Sequence, residues 1–313
     1  MNRVGFVGLG NMGGPMCGHL VQAGFSVSAF DLDGEAVARA VAVGARAAGS
    51  AVECASGAEV LITMLPAPPQ VEQVWLGSGG TEGVIAALAP GSLAIDMSTS
   101  SVAVGSRIVE AARKRDTQPP THPPIEVLDA PVAGQSIGAQ AGTLAIYVGG
   151  PPDAFERARP LFEAMGDPAR VFYLGGHGAG YTVKLLLNLL WFIESVAVGE
   201  VLSVGVRAGV SLDRLHSALV GSPANSVFLE RDVRMVLDDG DYDDAFPMRL
   251  VTKDLGLAVD LAREVGVPVE LSALVEQVHR RARAVYGDDA GEISAVRLYE
   301  DLAGVKLRLG AFE

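Results

Sequence analysis

Near the start of the chain, a short apolar run passes without a gap into glycines spaced GxGxxG. Arg3-Val4-Gly5-Phe6-Val7 reads as a buried strand, and Gly8-Leu9-Gly10-Asn11-Met12-Gly13 opens a helix directly after it. Each glycine has its own reason to be there. Gly8 permits the tight turn out of the strand, Gly10 lets a pyrophosphate approach the backbone, and Gly13 lets the new helix pack close to the strand. Leu9, Asn11 and Met12 lie in the loop, where the amides and dipole of the helix start offer an anion site. The next apolar run, Ser26–Phe30, ends on Asp31. A carboxylate there can accept both hydroxyls of an adenosine ribose and would repel a 2′-phosphate. Leu32 follows it, not an arginine that could hold such a phosphate. The residues therefore predict a dinucleotide site that takes NAD in preference to NADP.

Short apolar runs recur at Val60–Leu65, Leu93–Asp96, Val127–Ala130, Leu144–Val148 and Val171–Leu174, with helical patterns at Gly34–Val43, Ser101–Arg115 and Asp153–Met165. This alternation predicts a doubly wound, mainly parallel sheet to about residue 175. Beyond it the pattern is helical only, beginning with a helix from about Tyr181 to Ala208. A chain of 313 residues is long for a single core. The expected fold is α/β: an N-terminal Rossmann sheet over 1–177, then a long linking helix that opens an all-α substrate and oligomerisation domain over 178–313. The proline-rich stretch Gln118–Pro124 is expected to be a surface insertion.

The linking helix starts in Gly178-Ala179-Gly180-Tyr181-Thr182-Val183-Lys184, with Asn188 four residues on. That spacing puts an ammonium and an amide on one helix face, a turn apart. The apolar stretch from Leu185 to Val206 has the length of a membrane span, but Asn188, Glu194 and Glu200 interrupt it, and a buried inter-domain helix is expected. Because the first strand begins at Arg3 and runs directly into the glycine loop, the N-terminus is not expected to be a signal peptide. The net charge of −13, with no basic run longer than Arg113-Lys114-Arg115, argues against nucleic acid. Cys17 and Cys54 lack metal or redox spacing and read as reduced structural thiols of a cytoplasmic protein. None of His19, His122, His216 and His279 is spaced with carboxylates as a ligand set, so no metal is expected. His177 is expected to be a satisfied loop histidine, and Asp288 and Asp289 a solvated turn.

Five blocks, in order, resemble the β-hydroxyacid dehydrogenase family, whose best-known member is 3-hydroxyisobutyrate dehydrogenase. They are Val7–Gly13; Met64-Leu65-Pro66; Asp96-Met97-Ser98-Thr99; Asp129-Ala130-Pro131-Val132 running on to Gly142-Thr143-Leu144; and GxGxxxKxxxN followed by Lys253-Asp254-Leu255. The resemblance, shared more distantly with 6-phosphogluconate dehydrogenase, implies roles for particular residues. Leu65, Pro66 and Gln70 would line the cofactor groove and Thr99 would sit by the nicotinamide ribose. Lys184 would be the catalytic acid/base, with Asn188 helping to hold the substrate. Phe246 and Lys253 would close a cleft site from the helical domain. It also implies dimers or tetramers and a small hydroxy acid as substrate.

The chemistry agrees with those roles. Oxidising an alcohol moves a hydride to the nicotinamide and a proton to the protein, so the protein must supply a proton acceptor. A lysine serves only if part of it is neutral. Burial at the positive end of an apolar helix, and Lys253 where it lies near, push its pKa down. One block departs from the family. Where relatives usually continue with Ser-Gly-Gly to receive the substrate carboxylate, this chain has Ala133-Gly134-Gln135. With the bulky, apolar Leu187 and Trp191 on the helix face after Lys184, the substrate is expected to be larger or less polar than 3-hydroxyisobutyrate. The expected activity is NAD-dependent oxidation of 3-hydroxyisobutyrate or a related β-hydroxy acid. Two alternatives are imine reduction, whose enzymes usually carry Asp or Tyr at the lysine position and favour NADP, and a non-catalytic dinucleotide-binding module, which would have lost the lysine.

Overall fold

The structure is a computed structural model describing residues 2–115, 123–243 and 246–310. Residues 118–122 of the expected proline-rich insertion lie outside the described residues. The chain divides into two compact units, Met1–Lys184 and Leu185–Glu313.

The first unit is built on one twisted sheet. In spatial order its strands are Gly166–Gly175, Leu144–Gly149, Glu126–Asp129, Leu93–Asp96, Val60–Thr63, Arg3–Val7, Ser26–Phe30 and Arg46–Ala47. The first strand in sequence thus lies inside the sheet, and the chain winds away from it in both directions. In open sheets of this kind, ligands bind beyond the carboxyl ends of the strands at such a switch point. Val7 is in register with Phe30 on one side and Thr63 on the other, so Gly8, Asp31 and Met64 leave neighbouring strands at one level.

Both faces of the sheet are covered, which is why these strands read as continuous apolar runs. One face buries Phe6, Ile62, Ile95 and Leu128 against Met16, Leu20, Phe155 and Phe162. The other buries Val7, Leu61, Ala94 and Val127 against Trp75, Leu88 and Ile108. The sheet is parallel except where Leu144–Gly149 runs antiparallel to Glu126–Asp129 and to the short strand Val132–Ala133. The edge strand Gly166–Gly175 is longer than the apolar run Val171–Leu174, because most of it faces outward and carries no hydrophobic pattern.

The second unit is helical. Its main helices are Leu212–Val220, Met248–Glu264, Glu270–Tyr286 and Ser294–Ala303, together with the greater part of the linking helix Ala179–Arg207. At 29 residues this helix is about 44 Å long. By length and composition it passes for a membrane span. One face of it, however, supplies Leu185, Leu189, Phe192 and Val196 to a core shared with Met248, Val251, Leu255 and Val275.

Candidate functional site

The glycine loop separates the three glycine roles sterically. Gly8 has φ +97°, and a Cβ there would lie 2.2 Å from the carbonyl oxygen of Met64; at Gly13 it would lie 1.9 Å from that of Gly8. At Gly10 a Cβ would meet nothing within 4 Å. The first and third glycines are therefore required by the protein's own backbone, and the middle one borders the space a pyrophosphate would fill. The helix Gly13–Gln22 carries no side-chain cap at Met12, which leaves its first amides for an anion.

Asp31 is tied into this loop. Its Oδ2 accepts from the Leu9 amide at 2.6 Å and its Oδ1 from the Asp33 amide at 2.9 Å. Each oxygen keeps a lone pair for a ribose hydroxyl. Leu32 is 95% exposed. Leu65, Pro66 and Thr99 follow the ends of adjacent strands, and Gln70 lies in the first turn of the helix Pro68–Leu76. The Leu65 amide donates to Ser98 Oγ at 2.8 Å. These donors and this open cradle fit a dinucleotide.

The two glycines before Lys184 also have structural explanations. Gly178 has φ +86°, and a Cβ on Gly180 would lie 2.3 Å from the Tyr147 carbonyl oxygen. The linking helix thus starts pressed against strand ends. Asp129 receives it there, its Oδ1 accepting from the Gly178 amide at 2.8 Å and its Oδ2 from the Tyr181 amide at 3.1 Å. The Tyr181 hydroxyl donates to Asp96 Oδ2 at 2.6 Å. Lys184 follows three residues on and is buried.

Desolvation raises the pKa of both carboxylates, Asp129 to about 6. Burial pushes the His279 imidazole in the second unit down to about 4. The signs oppose. Asp129 contributes stability that is fully present below its ordinary pKa and is lost as pH rises through about 6. His279 contributes stability that is lost as pH falls below its ordinary value towards about 4. A difference measurement isolates Asp129. The Tm of the wild type relative to Asp129→Asn should rise as pH falls from about 7 to about 5. A pH-independent difference would mean that Asp129 does not titrate in this window.

The altered loop lies in the same unit. Ala133 pairs with Ala145 across the short strand. Gly134 has φ +133°, and Gln135, with φ +55°, is the one non-glycine residue at positive φ among those described. A left-handed conformation costs a residue with a Cβ about 1–2 kcal/mol. The strain falls where the family usually has glycine, so the backbone keeps the glycine's shape while the side chain adds an amide.

In the helical unit, Asn188 Nδ2 donates to Asp254 Oδ2 at 2.7 Å, and Lys253 Nζ lies 3.1 Å from Asp254 Oδ1. One buried carboxylate thus holds two of the expected site residues. Trp191 is half-buried; its Nε1 donates to Asp232 at 2.8 Å and its ring meets Phe228 edge-on at 4.8 Å. With its one donor committed, it can offer a substrate only an apolar wall. Phe246 packs against the unit's core.

Asp96, Asp129, Tyr181 and Asp254 belong to the family-like blocks, but the sequence assigns them no individual role. For the three acids, a charge among apolar strand or helix residues is the available signal; Tyr181 offers none. Asp288 pairs with Arg283 at 2.8 Å and Asp289 with Arg249 in an exposed turn. Cys17 and Cys54 are buried free thiols pushed up to about 12 by desolvation, which makes them poor nucleophiles. Among the described residues no three His, Cys, Asp or Glu side chains are grouped to hold a metal.

Comparison with known proteins follows the two units. Residues 3–175 match the family described as the NAD binding domain of 6-phosphogluconate dehydrogenase. Residues 178–299 match the NAD-binding family of NADP-dependent 3-hydroxyisobutyrate dehydrogenase. The chain is 38% identical to 3-hydroxyisobutyrate dehydrogenase of Pseudomonas aeruginosa over 284 residues, 89% of this chain and 91% of that one. It is 37% identical to NAD-dependent L-serine dehydrogenase of the same organism over 286 residues, 90% and 92% of the two chains. The solved structure of Mycobacterium tuberculosis 3-hydroxyisobutyrate dehydrogenase with L-serine superposes with a TM-score of 0.85 at 30% identity, covering 95% of this chain and 99% of that one.

Proposed function

The chain belongs to the β-hydroxyacid dehydrogenase family of NAD-dependent oxidoreductases acting on CH–OH, and from that premise we propose that it oxidises a small β-hydroxy acid with Lys184 as the general acid/base. The observation that carries the proposal is the placement of Lys184: buried, and one turn into a helix whose start is bound by two carboxylates of the dinucleotide unit. Held by Gly8–Gly13, Asp31, Leu65, Pro66, Gln70 and Thr99, NAD supplies the hydride acceptor. Lys184 takes the hydroxyl proton as the C–H bond is broken. Asn188, fixed by Asp254, orients the hydroxyl without titrating. The amides at Gly134 and Gln135 would receive the carboxylate, and the family resemblance implies that Phe246 contacts the cofactor and that Lys253 lies near both the nicotinamide and the substrate.

3-Hydroxyisobutyrate and L-serine, named for the two relatives, share a carboxylate and a hydroxymethyl group on one carbon. Ala133 and the apolar wall of Trp191 favour a bulkier or less polar substituent on that carbon.

Initial rates with both cofactors and a graded panel of β-hydroxy acids test this. NAD should be preferred at least about tenfold, since repulsion between Asp31 and a 2′-phosphate is worth about 1.4 kcal/mol or more. Asp31→Ser with Leu32→Arg should move preference towards NADP. Ala133→Ser should raise kcat/KM for the smallest acids, because one well-placed hydrogen bond to a charged group is worth about 1.5–3 kcal/mol. Equal kcat/KM with NAD and NADP defeats the cofactor assignment; no turnover of any β-hydroxy acid defeats the substrate class.

The same reading takes the protein as a homodimer or homotetramer. Leu186, Leu190, Val201 and Val204 form an exposed apolar stripe along one face of the linking helix, which supports it. Sedimentation velocity should show a dimer or larger, and Leu190→Glu should weaken it; a monomer at micromolar concentration overturns this.

A further inference from the structure

Asp96 is a fully buried carboxylate that takes no part in hydride or proton transfer, yet three hydroxyls are bound to it. Its Oδ1 accepts from Thr63 Oγ1 and from Ser98 Oγ, each at 2.6 Å, and its Oδ2 accepts from the Tyr181 hydroxyl at 2.6 Å. Beyond these donors the connections continue. Ser98 Oγ accepts the Leu65 amide at 2.8 Å, and Thr63 Oγ1 accepts from Trp75 Nε1 at 2.9 Å. Tyr181 stands three residues before Lys184 in the helix Ala179–Arg207. Its ring lies against Gly105, where a Cβ would come 2.7 Å from a ring carbon, so no larger residue leaves it room.

We propose that Asp96 is a positioning residue, joining the Leu65 loop to the helical turn that presents Lys184 and so setting the spacing between the cofactor groove and the proton acceptor. The proposal rests on the assignment of Lys184 as the acid/base.

The reason lies in directionality. Apolar packing could join the same two segments without burying a charge, and burying one is costly. Apolar contacts, however, are non-directional and resist sliding weakly. Hydroxyl-to-carboxylate bonds of 2.5–2.7 Å are the short, charge-assisted class, and they fix both distance and angle. An error of about 1 Å at a reacting group can cost about 10² in rate, so such stiffness has catalytic worth. Asp129 does a different task, holding backbone amides of the helix start. Asp96 holds a side chain, and through it the rotation of that turn.

Tyr181→Phe removes one oxygen from this network, Ser98→Ala removes another, and both leave Lys184, Asn188 and the glycine loop in place. The readouts are kcat with ordinary and C–H-deuterated alcohol, NAD affinity by calorimetry, and Tm, all assayed well below each variant's Tm. Tyr181→Phe should lose about tenfold or more in kcat, with a larger isotope effect and NAD Kd within about twofold of wild type. Because both hydroxyls act through Asp96, the double variant should lose less than the product of the two single losses. A lower Tm with kcat within about twofold, or fully multiplicative losses, overturns the proposal. Should Tyr181→Phe fail to fold, Ser98→Ala must by itself lower kcat severalfold with a larger isotope effect, and unchanged values overturn it. Lys184→Ala in the same assay separates the two claims. Activity surviving Lys184→Ala defeats the acid/base assignment. Activity lost there but intact in Tyr181→Phe defeats the positioning role alone.

Discussion

Replacing Lys184 with alanine should lower kcat by ~10²–10⁴, the usual worth of a positioned general acid/base. NAD affinity should change little, since on the proposed reading the glycine loop and Asp31 would hold the adenosine end. Arginine should be nearly as damaging. A guanidinium stays protonated and cannot accept the alcohol proton, so Lys184→Arg keeps the charge and removes the chemistry. The wild-type rate of oxidation should rise with pH through one ionisation that is missing from the alanine variant. Measuring kcat, its pH profile and NAD Kd for all three proteins decides the matter. An alanine variant that keeps more than about a tenth of wild-type kcat while chemistry limits the rate would make Lys184 structural.

The second large effect is expected at Asp254. This carboxylate is 1% exposed, accepts from Asn188 and lies against Lys253. Asp254→Ala leaves the Asn188 amide without that acceptor and Lys253 without that counter-charge. Breaking a buried pair costs about 3–5 kcal/mol; Lys253, with 18% of its side chain exposed, can turn partly to water, so the lower end is expected. Asp254→Asn keeps an acceptor for Asn188 but no charge for Lys253, so its loss should be smaller. Lys253→Met should destabilise more than Asp254→Ala, because it strands the carboxylate, the more deeply buried member of the pair. If Asn188 needs Asp254 to orient it, Asp254→Ala should also lower kcat at least about tenfold at temperatures where the protein is folded. Denaturant midpoints and kcat for the three variants test the order. An unchanged midpoint with kcat within about twofold in Asp254→Ala would show that this cluster does neither job.

Much of the first unit was legible because its determinants are local. A run such as Val4–Val7 followed by Gly8 needs no distant partner to be read as a strand and a tight turn. Gly8 and Gly13 are required by backbone approaches within a few residues or between adjacent strand ends. Asp31 stands out in the sequence because it follows its strand directly. The start of the linking helix was placed within two residues, at Ala179 rather than Tyr181. The strand Arg46–Ala47 was not found: two exposed residues carry no hydrophobic period.

The acids divide along the same line. Asp96, Asp129 and Asp254 occupy positions where the sequence shows only a charge beside apolar residues, and nothing local says what will neutralise it. Apart from Lys253, the immediate neighbour of Asp254, their partners come from 2 to 85 residues away. The strain at Gln135 was equally invisible, since φ +55° there is set where the strand Val132–Ala133 turns into the helix Gln135–Ala141 and not by the residue itself.

By itself, the sequence determined the layer architecture, the glycine loop after the first strand, the acidic residue that ends the second strand, and the helix on which Lys184 and Asn188 share a face. All of these follow from steric rules and periodicities that act over a few residues. Only the tertiary structure decided which carboxylates receive the helix start, which one holds Asn188 and Lys253, and that Asp96 links Tyr181 to the Leu65 loop. A buried charge is tolerable only with donors around it, and which donors arrive depends on how segments distant in sequence pack.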